Sequence, residues 1–173
     1  MKNVNNARCF WVTGLSGAGK TTTINLLADH LKSRGIPVLK LDGDELRAIF
    51  GFKSFSNEDR YANGLKYSSL CNLVVSQNIN VVIGVMGLFH KLHDWNRKNI
   101  KNYIEIFLDT PVEELIKRDK KGLYKKALNG EMENVAGINM KAELPINPDI
   151  KVTWEKGKTQ QETFEEIISQ LYK

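Results

Sequence analysis

The residues best equipped for chemistry are Gly14, Leu15, Ser16, Gly17, Ala18, Gly19, Lys20 and Thr21, followed by Thr22. This is the G-x-x-x-x-G-K-[ST] spacing of a phosphate loop, set between the apolar run Cys9-Phe10-Trp11-Val12 and a helical pattern. Glycine permits backbone angles that turn successive amide N–H groups toward one polyphosphate at a helix N-terminus. Lys20 then reaches the β- and γ-phosphates, and the Thr21 hydroxyl holds Mg²⁺. A second pair, Asp42 and Asp44, closes the apolar run Ile36 to Leu41. In an open α/β sheet that position is the edge where ligands bind, so both carboxylates face the phosphate loop. Asp44 can cap the helix that follows it, a structural role compatible with a functional one.

These groups need elements to hold them. The pattern predicts strands over 8–13, 36–41, 80–86, 103–108 and 150–153. It predicts helices over 20–33, 45–50, 58–75, 112–117 and 159–171, with Ser56 or Asn57 capping the third and Pro111 at the first position of the fourth. Residues 88–98 read as an irregular or helical connection. The charged stretch 118–130 follows the fourth helix, and 131–147 has no periodicity, so 118–147 reads as a mobile lid over the site. Strands alternating with helices give an α/β fold of three layers, a parallel sheet covered on both faces, in one domain over 1–173.

Composition narrows the partners. With 25 Lys and Arg against 20 Asp and Glu the net charge is +5, but the cations are scattered among acids and form no basic stripe, which argues against nucleic acid. No apolar run approaches the roughly 20 residues that span a bilayer. The polar start, Met1 to Arg8, leaves no room for a secretory signal, and two cysteines outside any metal or redox spacing fit buried thiols in a reducing cytoplasm.

The phosphate loop, Leu41-Asp42-Gly43-Asp44, Asp59-Arg60 with Asn63, and Arg118-Asp119 with Lys121-Gly122-Leu123-Tyr124-Lys125-Lys126-Ala127 together resemble the adenylylsulfate kinase family, over nearly the whole chain. That family transfers the γ-phosphoryl of ATP to the ribose 3′-hydroxyl of adenylyl sulfate. The resemblance implies a homodimer. It implies that Asp42 and Asp44 sit beside Mg²⁺ and the acceptor hydroxyl, with Asp44 orienting the nucleophile or accepting its proton. It places Arg47, Arg60 and Asn63 on the acceptor nucleotide, where the planar Arg fork suits an anion. It also makes Lys121, Gly122, Leu123 and Tyr124 part of a closing lid that touches the acceptor, Arg118 the group that steadies the γ-phosphoryl, and Lys156 to Thr159 the loop beside the ATP adenine.

The departures from the family cluster at the acceptor. The family's N-I-R-R reads Asn63-Gly64-Leu65-Lys66 here, so only Lys66 keeps a positive charge. Its F-I-S-P reads Val85-Met86-Gly87-Leu88, and its F-T-G-I, whose ring stacks on adenine, reads Val135-Ala136-Gly137-Ile138. Phe55 matches the ring on the opposite face. A lost stacking ring is worth about 1–3 kcal/mol, so the acceptor is expected to have changed. One family branch, the cytidine diphosphoramidate kinases of bacterial capsule synthesis, fits a smaller base. The segment Leu92 to Arg97 also differs, and His93 or Arg97 is offered as a replacement contact against a plain structural role. The alternatives are true adenylylsulfate kinase, another small-molecule P-loop kinase such as a gluconate or nucleoside monophosphate kinase, and a nucleotide-binding module without turnover.

Overall fold

The structure, a computed structural model, describes residues 6–54, 56–119 and 121–172. Five strands form one parallel sheet: β1 (Cys9–Thr13), β2 (Val38–Asp42), β3 (Asn80–Gly84), β4 (Tyr103–Asp109) and β5 (Ile150–Thr153), in the order β2-β3-β1-β4-β5. The connecting helices are α1 (Lys20–Ser33), α2 (Gly43–Phe50), α3 (Asn57–Ser76), α4 (His90–Asn99), α5 (Val112–Lys117), α6 (Leu123–Leu128) and α7 (Gln160–Leu171). The central strand explains the layering, because all five of its residues are buried and successive side chains go to opposite faces. Phe10 and Val12 join a core under α1 and α7, where Ile24, Leu27 and Ile167 pack. Cys9 and Trp11 join a second core under α3 and α4, with Tyr67, Cys71 and Leu92. The cysteines are buried free thiols.

Most expected elements form where periodicity put them, and the differences have local causes. Helix α2 starts earlier than 45 because Asp42, not Asp44, is its N-cap: the Asp42 side chain accepts a hydrogen bond from the Asp44 backbone N–H at 2.8 Å. Pro111 is likewise the N-cap of α5, with ψ of 141°, rather than its first helical residue. Ser56 caps α3 as expected, accepting from the Asp59 N–H at 3.1 Å. The connection after β3 becomes a regular helix, α4. Residues 131–147 hold no helix or strand, only an isolated bridge between Ala136 and Met140.

Among the described residues one carboxylate is buried in the interior. Glu105, 2% exposed on β4, takes a 2.8 Å bond from Arg97 of α4, a 3.3 Å bond from the Tyr103 hydroxyl, and faces His93 Nδ1 at 3.4 Å. Arg97 goes on to the Asp149 carboxylate at 3.1 Å and the Asn147 carbonyl at 2.8 Å, so α4 and the chain entering β5 are joined through one guanidinium. Removing that guanidinium strands a buried carboxylate. A fully enclosed pair costs roughly 3–5 kcal/mol to break in this way, and Arg97 is 37% exposed. Arg97→Ala is therefore expected to cost about 2 kcal/mol, read as a lower urea midpoint at unchanged slope; a midpoint equal to that of the parent chain would show that the network adds nothing.

Candidate active site

The phosphate loop lies at the C-terminal end of β1 and runs into α1. Gly14, Gly17 and Gly19 have φ of 153°, 80° and 100°, and a Cβ on Gly14 would meet the Leu108 carbonyl oxygen at 2.8 Å. Glycine is required there by both conformation and space. Gly19 is the N-cap of α1 and supplies no side chain to the first turn, which keeps the N–H groups of that turn unmasked. Leu15 and Ala18 are buried in the core, while Ser16, Gly17, Thr21 and Thr22 reach or approach the surface in varying degree. Lys20 spans the loop, donating to the carbonyls of Gly14 at 2.9 Å and Leu15 at 2.8 Å.

Two elements converge on that loop. Thr21 Oγ1 donates to Asp42 Oδ2 at 2.7 Å, so the end of β2 is fastened to the first turn of α1. The oxygens of Thr21 and Asp42 are hard donors of the type Mg²⁺ accepts, and they sit together beside the phosphate loop. Among the described residues no group of three or more His, Cys, Asp or Glu is gathered to hold a metal. Two protein oxygens of this kind would suit an ion that takes its remaining ligands from phosphate and water. Its contribution when bound is to neutralise charge on the transferring phosphoryl group.

Asp44 lies in the first turn of α2. It carries an ion pair with Lys121 at 3.1 Å, in which both side chains are 79% exposed. Burial of the Lys20 ammonium lowers its pKa to about 8, opposed first by the charge of Asp44 and then by that of Asp42, with Lys121 lowering it further. The lysine, the two carboxylates and the Lys121 ammonium therefore share one electrostatic neighbourhood.

A cationic corner faces this group. Arg60 of α3 donates to the Asn134 carbonyl at 2.7 Å and approaches the Met86 sulfur at 3.4 Å. Arg47 of α2 bonds the Ser54 carbonyl at 3.3 Å. Burial and then the neighbouring Arg47 both lower the pKa of Arg60, the signature of two guanidinium groups held close. Such a pair gains most from an anion placed between them. Asn63 is buried on the same helix, and Gly87, with φ of 41°, closes the turn after β3 beneath Met86.

Several residues are placed elsewhere than the sequence suggested. Tyr124 is only 2% exposed, with its hydroxyl donating to the Ser16 carbonyl at 2.7 Å, so it braces the phosphate loop from beneath instead of touching an acceptor. Burial first, then Asp119, raises that hydroxyl to a pKa of about 12. Val135 is 3% exposed in the core, and Leu123 and Ile138 pack against the same core half-buried. Gly122 is the N-cap of α6 with φ of 67°. Lys66 lies over the Phe52 ring, 4.5 Å from its centre, and so serves α3 and the preceding loop. Phe55 lies outside the described residues. His93 and Arg97 face Glu105 and are committed to the interior.

The base side of the nucleotide cleft also differs. Arg118 lies over the Trp154 ring at 5.5 Å, and the cleft between them is lined by Ala18, Thr110, Lys158 and Gln160. The Thr159 hydroxyl is spent on a capping box with Glu162, and Lys156 is exposed outside this lining. Trp154 and Gln160 line this cleft and were not singled out from the sequence. The signal for Trp154 was its place directly after β5, on the same sheet edge as the phosphate loop.

Residues 6–153 match the family model described as adenylylsulphate kinase. Over 167 residues the chain is 37% identical to the Campylobacter jejuni protein named cytidine diphosphoramidate kinase, covering 96% of this chain and 98% of that one. Over 162 residues it is 40% identical to a probable adenylyl-sulfate kinase of Pseudomonas aeruginosa, covering 93% and 73%. The Mycobacterium tuberculosis APS kinase solved in complex with AMPPNP and APS superposes with a TM-score of 0.87 at 32% identity, over 96% of this chain and 98% of that one.

The lowered pKa of Lys20 gives a signed expectation. Near pH 8 the free ammonium is part deprotonated, and triphosphate in the loop raises its pKa again, so binding takes up a proton where the free group has lost one. At pH 8.5, isothermal titration with a non-hydrolysable ATP analogue in buffers of different ionisation enthalpy is expected to give uptake of roughly 0.7 proton per nucleotide, falling toward zero at pH 6.5. Uptake that does not change between those pH values would remove Lys20 from the phosphate site.

Proposed function

The chain belongs to the adenylylsulfate kinase family, and from that premise we propose that it transfers the γ-phosphoryl of Mg-ATP to the ribose 3′-hydroxyl of cytidine 5′-diphosphoramidate. The observation that carries the choice of acceptor is Val135. The position where the family stacks a phenylalanine on adenine holds a short aliphatic side chain that is 3% exposed, turned into the core. Loss of that ring takes roughly 1–3 kcal/mol from adenine binding and costs a pyrimidine less, since a smaller base has less stacking area to lose. Packing at Gly64 is close: a Cβ there would come within 2.6 Å of Leu92 Cδ2, so the position of the isoleucine in the family's N-I-R-R is pressed against α4, while the two arginine positions hold Leu65 and the exposed Lys66. A similarity to the Campylobacter jejuni cytidine diphosphoramidate kinase that covers both chains almost end to end supports the same reading.

In this reading the triphosphate lies in the 14–21 loop, and Thr21 and Asp42 hold Mg²⁺. The base of ATP rests in the Arg118 and Trp154 cleft. Arg47 and Arg60 hold the anionic part of the acceptor. The acceptor 3′-oxygen attacks the γ-phosphorus, the bond to the ADP oxygen breaks, and the hydroxyl proton passes to Asp44 or to water positioned by it. A carboxylate suffices because the transition state is loose and proton removal is late. Lys121 leaves or shares Asp44 as the 118–147 segment closes as a lid, excluding water and wasteful hydrolysis of ATP. The product then feeds phosphoramidate decoration of a capsule, and the working enzyme is a homodimer of one-domain subunits.

The second reading, adenylylsulfate kinase proper, is favoured by the 40% identity to the Pseudomonas aeruginosa protein of that probable activity. A coupled ADP-release assay with Mg-ATP separates the two. Cytidine diphosphoramidate is expected to give a kcat/KM at least about tenfold above that of adenylyl sulfate, the discrimination one stacking contact supplies; a preference for adenylyl sulfate reverses the assignment. Asp44→Ala is expected to lower kcat by about 10²–10⁴ with ATP affinity little changed. Binding of ATP without ADP release on any nucleotide would identify a module without turnover.

A further inference from the structure

The turn after β3 is held by a side chain that no part of the proposed chemistry uses. His93 of α4, 5% exposed, points Nε2 at the Gly87 carbonyl oxygen at 2.8 Å, and the same carbonyl accepts the Phe89 N–H at 3.0 Å. A carbonyl can only accept, so Nε2 carries the hydrogen. The other ring nitrogen, Nδ1, faces Glu105 Oε1 at 3.4 Å, and Glu105 is fixed in turn by Arg97 and the Tyr103 hydroxyl. The imidazole is thus a strut between a buried carboxylate and Gly87. Next to Gly87, the Met86 carbonyl takes the Thr13 hydroxyl, and its sulfur meets Arg60.

We propose that His93 is a positioning residue for the acceptor: with Glu105 behind it, the imidazole sets the Met86–Gly87 turn against which Arg60 is aimed. The proposal rests on the reading that the acceptor binds beside Arg60. Gly87 leaves no room for the turn to settle inward, since its Cβ position is 3.0 Å from Trp11 Cζ2. The strut therefore decides how far the turn stands out into the site. Arg60 reaches the turn through Met86 and the 118–147 segment through Asn134, so a displaced turn carries the guanidinium with it. The triphosphate loop touches this network only at its entry, where Thr13, the residue before Gly14, bonds the Met86 carbonyl.

Two variants split the ring into its halves. His93→Gln places an amide N–H where Nε2 stood and keeps the bond to Gly87, whereas His93→Asn is too short to reach the carbonyl but still meets Glu105. His93→Asn is expected to raise KM for the acceptor by about tenfold, the consequence of one buried bond unmade, with KM for ATP and kcat within about twofold. His93→Gln is expected to restore acceptor KM to near the parent value. Hydrogen exchange of the Leu88 and Phe89 amides, read without substrate, is expected to quicken in His93→Asn and not in His93→Gln. Equal behaviour of the two variants in both readouts overturns the proposal, as does quickened exchange with an unchanged acceptor KM. If the parent chain phosphorylates no nucleotide, the functional reading has failed, and the exchange data alone then decide whether His93 holds the turn.

Discussion

The site depends on one carboxylate used twice. Asp42 gives one oxygen to the Thr21 hydroxyl and the other to the Asp44 backbone N–H. The first bond ties β2 to α1, and the second starts α2 at the residue that brings Asp44 up beside Lys20. Both elements that carry reactive side chains are thereby indexed to the same two oxygens. The sheet supplies the rest of the geometry, because β2 reaches β1 only through β3, in the register Asp42↔Gly84 and Val12↔Gly84. The end of β3 lies between the two, where the Met86 and Gly87 turn leaves it.

Charge is balanced locally, not by long surface ladders. Lys20 is buried among carbonyl oxygens, and Asp44 and Asp42 only partly offset that burial. A group in this state favours a ligand that brings negative charge and no bulk solvent with it, which describes a triphosphate. The Asp44 and Lys121 pair sits in water and contributes little to folding. Its weakness suits a contact that has to open when a hydroxyl arrives. Arg47 and Arg60 lie close enough that each cation disfavours the other, with burial the larger cause at Arg60.

Local patterns were legible in the sequence and long-range contacts were not. The strand, loop and helix from Cys9 to Ser33 are written in spacing alone, and Ser56 or Asn57 marks the start of α3, whereas Thr159, expected inside the last helix, is its N-cap. Asp42 as the N-cap of α2 was missed because two aspartates one residue apart compete for that place, and only the Thr21 contact decides between them. Tyr124 reaches Ser16 across 108 positions, so nothing local distinguishes a lid residue from a brace for the loop. His93 and Arg97 looked like spare polar groups since their partner, Glu105, reads as one acidic residue inside an apolar strand. Trp154 had no periodic context at all.

Specificity on the acceptor side follows from how the chain fills its volume. In the family an aromatic ring and arginines face the acceptor; here Val135 turns into the core, Gly64 closes against Leu92, and Lys66 lies on Phe52. Val135 and Gly64 are packed inward, whereas Lys66 stays at the surface over the Phe52 ring. The loss is not uniform, because Arg60 and Arg47 keep their places and still define an anion position. What has been withdrawn is the surface that would enclose a large base. On the proposed reading the acceptor is held more by its charge than by its ring, so its affinity would draw mainly on the two guanidiniums and on the turn that aims one of them.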